Sequence, residues 1–457
     1  MTHFSGRRPQ APAPPANDRQ SRRSPAFPRI AAVLTVSLAL VAAACGQKDG
    51  VAGTGGSTVV ADGGGNGGGD GGGDGGDAAP HEAGPDDTSG VSDDEIVIGL
   101  HAPVTGASPL PQETFETGKD IYWKFLAQDD PEFLFGREAR VVFRDDEFNP
   151  QTAVSVCREM VEEEGAFILV GGGGADQITA CAQYAAEAGV PYFSAGVNEE
   201  GLTDASTYYA LSLTYAQQAP LIVQRIQDEG LERVGVVVAD TPSFQDGHDA
   251  FVDAAEEAGL EIVADSTINK TASEAEALAE AQELESANAD VVFILTSPLV
   301  YLSVASGARN QGYEPAFIGP GITSGLNTVT QFGCPSVSNG QFFSPFPELD
   351  VIDELDPDFT PAYEEFGGGD ADDIGIALWG LNKTIGLMFQ ATGEDLGRAA
   401  LMNTIEENQE FASGVYPPVT YTPEAHFGGT GAHLLQANCN QTQYDTAEEF
   451  VELRMGR

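Results

Sequence analysis

Four consecutive glycines at residues 171–174, followed by Ala175 and Asp176, form the segment of this 457-residue chain that is best suited to binding chemistry. Backbone N–H groups of a glycine-rich turn attract a carboxylate or another anion, and glycine lets a ligand approach the backbone closely. The segment does not fit the Gly-x-Gly-x-x-Gly pattern of dinucleotide-binding turns. A tight turn without a ligand is an equally good interpretation, because glycine-rich turns are common in parallel α/β proteins.

Residue types that carry catalysis occur without the spacing that catalysis requires. None of the six histidines fits a metal motif such as His-Glu-x-x-His, and there is no Gly-x-Ser-x-Gly elbow for a serine nucleophile. His101 either faces a cleft or, as we favour, hydrogen-bonds within a turn. Asp145 and Asp146 suggest a carboxylate pair, but adjacent residues on an extended turn point apart and Arg144 is close, which favours turn capping. We therefore expect no enzymatic activity, no cofactor and no metal site.

The glycine turn lies between a predicted strand and a predicted helix. Residues 167–170 are apolar, too few for a globular helix and followed by glycine, as in a strand buried on both faces. Small or apolar residues then recur at helical spacing over residues 178–188, and Gly189 ends the helix. A second strand at residues 190–194 enters another turn at residues 195–198. The two turns therefore lie side by side and predict a ligand site.

Strands and helices alternate along the chain in two successive units. Around the glycine turn, the first unit has strands at 95–100 and 139–144 and helices at 113–126 and 150–164. The second unit has strands at 233–240, 261–265, 290–295 and 316–319 and helices at 244–258, 272–287 and 299–311. This alternation predicts an α/β fold of two doubly wound parallel-sheet lobes, the first with strand order 2-1-3-4. Helices at 373–392 and 397–407 and a strand at 419–421 are too few for a third core, so they are expected to complete the two sheets.

The N-terminal segment is predicted to export the chain rather than to fold. Residues 1–29 carry six arginines and precede an uncharged, mostly apolar run at residues 30–44, which is too short to span a bilayer comfortably. Small residues lead from this run straight to Cys45 and resemble a bacterial lipoprotein signal, in which the cysteine is lipidated and becomes the first residue of the mature chain. A pair of arginines preceded by serine leaves a twin-arginine export route open beside the general one.

The amino-acid composition distinguishes a tether from the folded part of the chain. The net charge limits the kinds of partner that the protein can bind. Residues 45–92 are rich in Gly and Asp and too poor in apolar groups to offset their ordering entropy, so they predict a disordered tether. The formal net charge of the whole chain is −49 at pH 7, which repels nucleic acid and anionic lipid head groups. Solubility in a salty medium is the favoured explanation of this charge, and an acidic recognition face is the alternative.

Four further cysteines are expected to form two disulfides in an exported protein. Right-handed crossovers place the helices before and after the third strand on one face of the first sheet, and these helices carry Cys157 and Cys181. Cys157 is therefore predicted to pair with Cys181. Cys334 and Cys439 remain once Cys45 is lipidated, and they form the second predicted pair.

Several short motifs follow one another along the folded part of the chain. They are IVIG at 96–99, PVTG at 103–106, FRDD at 143–146, NPQTA at 149–153, GVP at 189–191, SAG at 194–196, RNQG at 309–312 and FIGPG at 317–321. Single motifs are weak, but their order resembles that of the branched-chain amino-acid-binding proteins, which have the type I periplasmic binding fold and serve ABC transporters. The resemblance covers most of residues 93–430.

This resemblance implies two lobes with a ligand in the cleft between them and three crossovers, near residues 209–214, 340–345 and 418–421. Lobe 1 would comprise residues 93–211 and 344–418, and lobe 2 residues 212–343 and 419–457. The family's contacts carry over to two turns of lobe 1 and to four positions of lobe 2. They are Gly173, Gly174, Ala175 and Asp176, then Ala195, Gly196, Val197 and Asn198, and finally Phe244, Thr296, Ser297 and Gly321.

Two departures from the family pattern weaken the assignment of an ordinary amino acid as ligand. Phe244 stands where amino-acid binders commonly have Tyr, and Gly321 stands where they commonly have an acid that meets the ligand ammonium. The ligand is accordingly expected to be an amino acid, an amide or a small carboxylate. The resemblance implies an extracytoplasmic, lipid-anchored receptor that hands this ligand to an ABC permease, and the alternative is a ligand-sensing subunit of a membrane signalling system.

Overall fold

The computed structural model describes residues 87–195, 201–367, 369 and 371–453. Among the described residues, no helix combines the length and the apolar character that a membrane crossing needs. Several predicted features lie outside them: the export signal, Cys45, most of the tether, and the turn residues Gly196, Val197 and Asn198.

The first sheet contains five parallel strands. They are β1 (Glu95–Ala102), β2 (Glu138–Asp145), β3 (Ile168–Gly171), β4 (Tyr192–Ser194) and β5 (Tyr208–Ala210). Their spatial order is β2-β1-β3-β4-β5, so the predicted order 2-1-3-4 is confirmed and a fifth strand extends it. The central strand β3 is buried along its whole length, as its continuous apolar run predicted.

Four helices connect the strands of the first sheet. They are α1 (Gln112–Gly118), α2 (Ile121–Asp129), α3 (Pro150–Glu162) and α4 (Ala175–Ala188). The single helix predicted at 113–126 is wrong, because the chain leaves helical geometry at Asp120, whose φ is −129°. Aspartate favours such positions because it competes with helical backbone bonds. Helix α3 starts where predicted, since Asn149 accepts hydrogen bonds from the N–H groups of Gln151 and Thr152.

The second sheet is mixed rather than purely parallel. Its parallel part contains β6 (Arg233–Ala239), β7 (Glu261–Ile268), β8 (Val291–Leu295), β9 (Ala316–Pro320) and β10 (Gly340–Ser344). A separate two-stranded pair follows, β11 (Glu410–Phe411) and β12 (Val419–Thr420), and then a hairpin, β13 (Gly431–Asn438) and β14 (Gln443–Glu452). The sheet order is β14-β13-β10-β9-β8-β6-β7, with β13 antiparallel to β10. The C-terminal chain completes the second sheet, as expected, but through this hairpin, which was not predicted; the strand predicted at 419–421 pairs with β11 instead of joining either sheet.

The remaining helices cover the second sheet and then return to the first. Those that follow the first crossover are α5 (Tyr215–Asp228), α6 (Gln245–Glu257), α7 (Glu274–Ala287), α8 (Pro298–Asn310), α9 (Gly321–Ser324) and α10 (Asn327–Gly333). Those that follow β10 are α11 (Ile352–Leu355), α12 (Phe359–Phe366), α13 (Asp373–Thr392) and α14 (Arg398–Ile405). Helix α13 has the predicted bounds and belongs to the core of the first lobe, where Trp379 packs edge-on against Tyr122. The chain thus passes between the lobes after β5, after β10 and after β12.

Both predicted disulfides are present. Cys157 of α3 bonds to Cys181 of α4 with 6.0 Å between the Cα atoms, which confirms that these helices share one face of the first sheet. Cys334 bonds to Cys439 with 5.5 Å between the Cα atoms. The second bond joins the end of α10 to the turn of the β13–β14 hairpin, so it ties the C-terminal hairpin to the lobe that it completes.

Candidate functional site

A cavity of about 140 Å³ lies between the two lobes. Residues from the carboxyl ends of β3 and β4 in lobe 1 and of β6, β7 and β8 in lobe 2 contribute to its wall. This is the edge at which ligands bind in open parallel α/β sheets. The fold therefore brings the two sheet edges together around one site.

The glycine-rich turn forms one end of this cavity. Gly174 has a φ of +74° and precedes α4 as its N-cap, and no side chain caps the helix. Because an α-helix leaves its first N–H groups without intrahelical partners, the first turn of α4 presents donors and the positive end of the helix dipole at the cavity wall. A Cβ atom on Gly174 would lie 2.3 Å from the Oε1 atom of Gln177, so a side chain there would have to displace the Gln177 amide.

Gln177 adds an unused donor to the same end. Its side chain is 1% exposed and lines the cavity. Its Nε2 atom has no hydrogen-bond partner among the described residues. A buried donor without a partner costs free energy that an acceptor on a ligand would recover.

The rest of the wall is mainly apolar. The large apolar side chains that line it are Leu110, Phe115, Phe148, Phe244, Ile178, Ile322, Leu326, Phe346, Ile374, Leu378, Leu381 and Tyr416. Phe244 is held edge-on against Tyr215, with 5.3 Å between the ring centroids. The cavity therefore combines a small polar end with a large apolar body, which is the usual composition of a small-molecule site.

Asp176, in the first turn of α4, bridges the two lobes. Its carboxylate accepts hydrogen bonds from Thr241 Oγ1 at 2.5 Å, from Ser243 Oγ at 2.7 Å and from Lys270 Nζ at 2.9 Å. Burial acts to raise the pKa of Asp176, but the bonds from Thr241, Lys270 and Ser243 together hold that pKa below its ordinary value. Asp176 is therefore an ionised group at neutral pH.

Seven of the twelve predicted ligand positions lie at the cavity wall. They are Gly173, Gly174, Ala175, Asp176, Ala195, Phe244 and Ser297. Two others do not line it: Thr296 is fully buried and its hydroxyl donates to the Ser297 carbonyl, while Gly321 packs so closely that a Cβ atom would lie 2.8 Å from the Phe343 carbonyl oxygen. The geometry gives no support to these two as ligand contacts. The other three, Gly196, Val197 and Asn198, lie outside the described residues.

Gln177 and Lys270 are polar residues of the cavity that were not predicted from the sequence, as are Ser108 and Thr241. Gln177 lies in the first helical turn after the predicted glycines, so the helix start itself was a usable signal. Lys270 follows β7 and reaches the cavity only because the lobes meet. No local pattern around Lys270 distinguishes it from an ordinary surface lysine.

His101 and the paired aspartates have structural roles. The fully buried His101 ring lies between Asp146 and Tyr192, with Nδ1 2.8 Å from Asp146 Oδ2 and Nε2 2.7 Å from the Tyr192 hydroxyl. Asp145 accepts hydrogen bonds from the N–H groups of Val104 and Glu147 at 3.0 and 2.9 Å. Turn capping by Asp145 and Asp146 is confirmed, and His101 does not line the cavity.

Sequence and structure comparisons agree on the class of protein that this fold and cavity define. Residues 95–443 match the family model described as periplasmic binding protein, so the chain belongs to the periplasmic binding protein family. Members of this family are solute-binding proteins rather than enzymes, and membership implies an extracytoplasmic location. No curated protein matches the chain.

Solved structures narrow the class to the type I periplasmic binding fold. An ABC transporter substrate-binding protein from Aeropyrum pernix has a TM-score of 0.70 and 17% identity, over 79% of this chain and 97% of its own. A solute-binding protein from R. palustris, in complex with 4-hydroxybenzoate, has a TM-score of 0.65 and 17% identity, over 78% of this chain and 96% of its own. A leucine-binding protein from Thermotoga maritima has a TM-score of 0.65 and 15% identity, over 77% of this chain and 97% of its own.

Proposed function

We propose that this protein is a lipid-anchored solute receptor that captures a small apolar carboxylate between its lobes and delivers it to an ABC permease. One observation carries the proposal: an uncapped helix start and the unpartnered Nε2 atom of Gln177 lie in the wall of a mainly apolar interlobe cavity. An anion at that helix start gains backbone donors and the helix dipole, and an apolar body gains the remaining wall.

A carboxylate suits the polar end better than a neutral acceptor. Hydrogen bonds to a charged group contribute about 1.5–3 kcal/mol, compared with about 0.5–1.5 kcal/mol for neutral pairs. The glycines let the ligand oxygen reach the backbone, since no Cβ atom stands between the turn and the cavity. Gln177 Nε2 supplies a side-chain donor beside these N–H groups.

In the part of the cavity wall that the structure describes, the carboxylate that could meet an α-ammonium group is already paired with a lysine. Asp176 is the only acidic residue that lines the cavity among the described residues, and Lys270, Thr241 and Ser243 already donate to it. An ammonium would have to displace Lys270 or remain desolvated without a counter-ion, which is costly. The cavity therefore favours a carboxylate without an amino group over an amino acid.

The volume of the cavity suits a ligand of about one ring or one short branched chain. An engineered apolar cavity of about 150 Å³ in another protein binds benzene. The present cavity of about 140 Å³ is of the same size. The R. palustris neighbour in complex with 4-hydroxybenzoate supports a single-ring carboxylate on this fold.

A matched set of ligands tests the proposed class. 4-Methylpentanoate and leucine differ only by the α-amino group, and 4-methylpentanamide replaces the carboxylate with a neutral amide. We expect 4-methylpentanoate or 4-hydroxybenzoate to bind at least about 10-fold more tightly than leucine and the amide in calorimetric titration, since an unpaired ammonium and a lost charge each cost more than about 1.4 kcal/mol. Tighter binding of leucine would contradict the proposal, as would failure of both acids to bind.

Lipid attachment is a further prediction of the proposed function. It rests on the apolar run that ends in small residues directly before Cys45. Intact mass spectrometry of membrane-extracted protein is expected to give a chain that begins at Cys45 and carries a diacylglycerol group. A Cys45→Ser variant provides the control and is expected to lack that added mass. A mature chain that begins at another residue would exclude this anchor.

A further inference from the structure

Asp176 accepts all three of its side-chain hydrogen bonds from the opposite lobe. The residue belongs to lobe 1, in the first turn of α4, whereas Thr241 follows β6, Ser243 lies in the short 3-10 turn before α6, and Lys270 follows β7. The donor–acceptor distances are 2.5, 2.7 and 2.9 Å. One carboxylate thus joins two segments of lobe 2 at the edge of the cavity, the connection after β6 and the chain after β7.

We propose that Asp176 is an interlobe clasp: a positioning residue that sets the balance between open and closed lobes and does not itself contact the ligand. Its position supports this role. Asp176 is fixed on a helix start that also provides the ligand donors, so closure of the clasp and formation of the site occur at the same turn. The negative charge is also favourable there, because it lies at the positive end of the helix dipole.

The clasp also positions Phe244, an aromatic side chain in the wall of the cavity. Ser243 precedes Phe244 directly, and both belong to the turn Pro242–Phe244. When Asp176 holds Ser243, it fixes the turn that carries Phe244 against Tyr215 and over the apolar wall. Loss of the clasp therefore removes the restraint on Phe244 while the Gln177 amide and the glycine turn stay in place.

The three bonds differ in how strongly solvent weakens them. The side chain of Asp176 is 19% exposed and that of Lys270 is 41% exposed, so salt partly screens this ion pair. The two hydroxyl donors make short bonds to an ionised acceptor, and such bonds are about twice as strong as neutral ones. The clasp is therefore expected to weaken with added salt but to persist through Thr241 and Ser243.

If Asp176 is an interlobe clasp, its removal has a different effect on ligand affinity than if it is a ligand contact. If only the closed form binds tightly, the apparent dissociation constant is the intrinsic one divided by the closed fraction. Removing a clasp lowers that fraction and weakens every ligand by the same factor. Removing a ligand contact weakens ligands according to the group that they present to it.

The decisive measurement uses ligand-free protein and therefore does not depend on the proposed ligand class. Spin labels are introduced through non-canonical amino acids at Ala107 and Glu274, exposed residues of lobe 1 and lobe 2, in the full chain. Pulsed electron-spin resonance then measures the distance between the two labels and gives the populations of short and long interlobe distances. We expect the wild type to populate the short distance and Asp176→Asn to lower the short-to-long ratio at least about 10-fold. Lys270→Met is expected to have a smaller effect in the same direction.

The control removes an equal charge from the same helix. Glu187 is exposed near the other end of α4, and Glu187→Gln is expected to leave the distance distribution unchanged. Circular dichroism verifies that each variant is folded. A wild type without a short-distance population would overturn the clasp, and so would Asp176→Asn with the same distribution as Glu187→Gln.

Discussion

A Gly174→Val variant is expected to lose ligand affinity by at least about 100-fold while the protein remains folded. Gly174 has a φ of +74°, which a β-branched residue adopts only under strain, and its Cβ atom would lie 2.3 Å from Gln177 Oε1. The valine would therefore displace the amide of Gln177 and block the approach of a carboxylate to the helix start. Calorimetric titration with 4-methylpentanoate or 4-hydroxybenzoate measures the loss.

Gly189→Val is the matched control for this prediction. Gly189 lies just after the other end of α4 with a φ of +67°, and a Cβ atom there would meet nothing within 4 Å. The control therefore imposes a similar backbone strain of about 1–3 kcal/mol without filling the cavity. It is expected to reduce stability while affinity changes by less than about 3-fold. Equal affinity in the two folded variants would show that the glycine turn only shapes the chain and that the ligand binds elsewhere.

Replacing Cys334 and Cys439 together with alanine is expected to lower the free energy of unfolding by about 4–5 kcal/mol. Their disulfide closes a loop with a sequence separation of 105 residues, and in the chain-entropy model a long loop restricts the unfolded state strongly. The bond also holds the β13–β14 hairpin to α10, so we expect the hairpin to lose protection first. Guanidinium unfolding under non-reducing conditions measures the total effect, and amide exchange locates it.

The Cys157–Cys181 disulfide provides an internal comparison. Cys157 and Cys181 close a loop with a sequence separation of 24 residues, for which the same model gives about 3–4 kcal/mol. The two double variants should therefore rank in the order of their loop lengths. Reductant should bring the wild type to the stability of a variant that lacks both bonds. Changes below about 1 kcal/mol in both variants would contradict this account of their stabilising effect.

The alternation of strands and helices was predictable because it follows from local periodicity. Apolar runs indicated the buried strands β3 and β8, and Gly189 indicated the end of α4. The order of the first four strands is the common one for this class of fold, and the Cys157–Cys181 bond followed from that order together with crossover handedness. Where local signals compete, prediction failed: Asp120 interrupts an apolar helix pattern, and the alternating, largely polar β14 lacks a continuous apolar run.

The candidate site was predictable on one side only. The glycines at residues 171–174 mark a turn that needs positive φ and close approach, so lobe 1's share of the cavity was visible in the chain. Phe244 and Ser297 entered through a family resemblance, and both reach the wall. Thr296 and Gly321 entered in the same way and do not line it, because the Thr296 side chain is fully buried and Gly321 packs against the Phe343 carbonyl group.

The sequence by itself determined the class of fold, the Cys157–Cys181 disulfide and the glycine-rich turn before α4, because helix and strand periodicity, glycine conformation and crossover handedness act over short stretches of chain. Only the tertiary structure decided what closes the cavity. Asp176 and Lys270 are 94 positions apart, and their contact depends on how two separately folded sheets approach each other. That approach joins residues far apart in the sequence and leaves no local pattern, so the bridge at Asp176 and the unpartnered Nε2 atom of Gln177 become visible only in three dimensions.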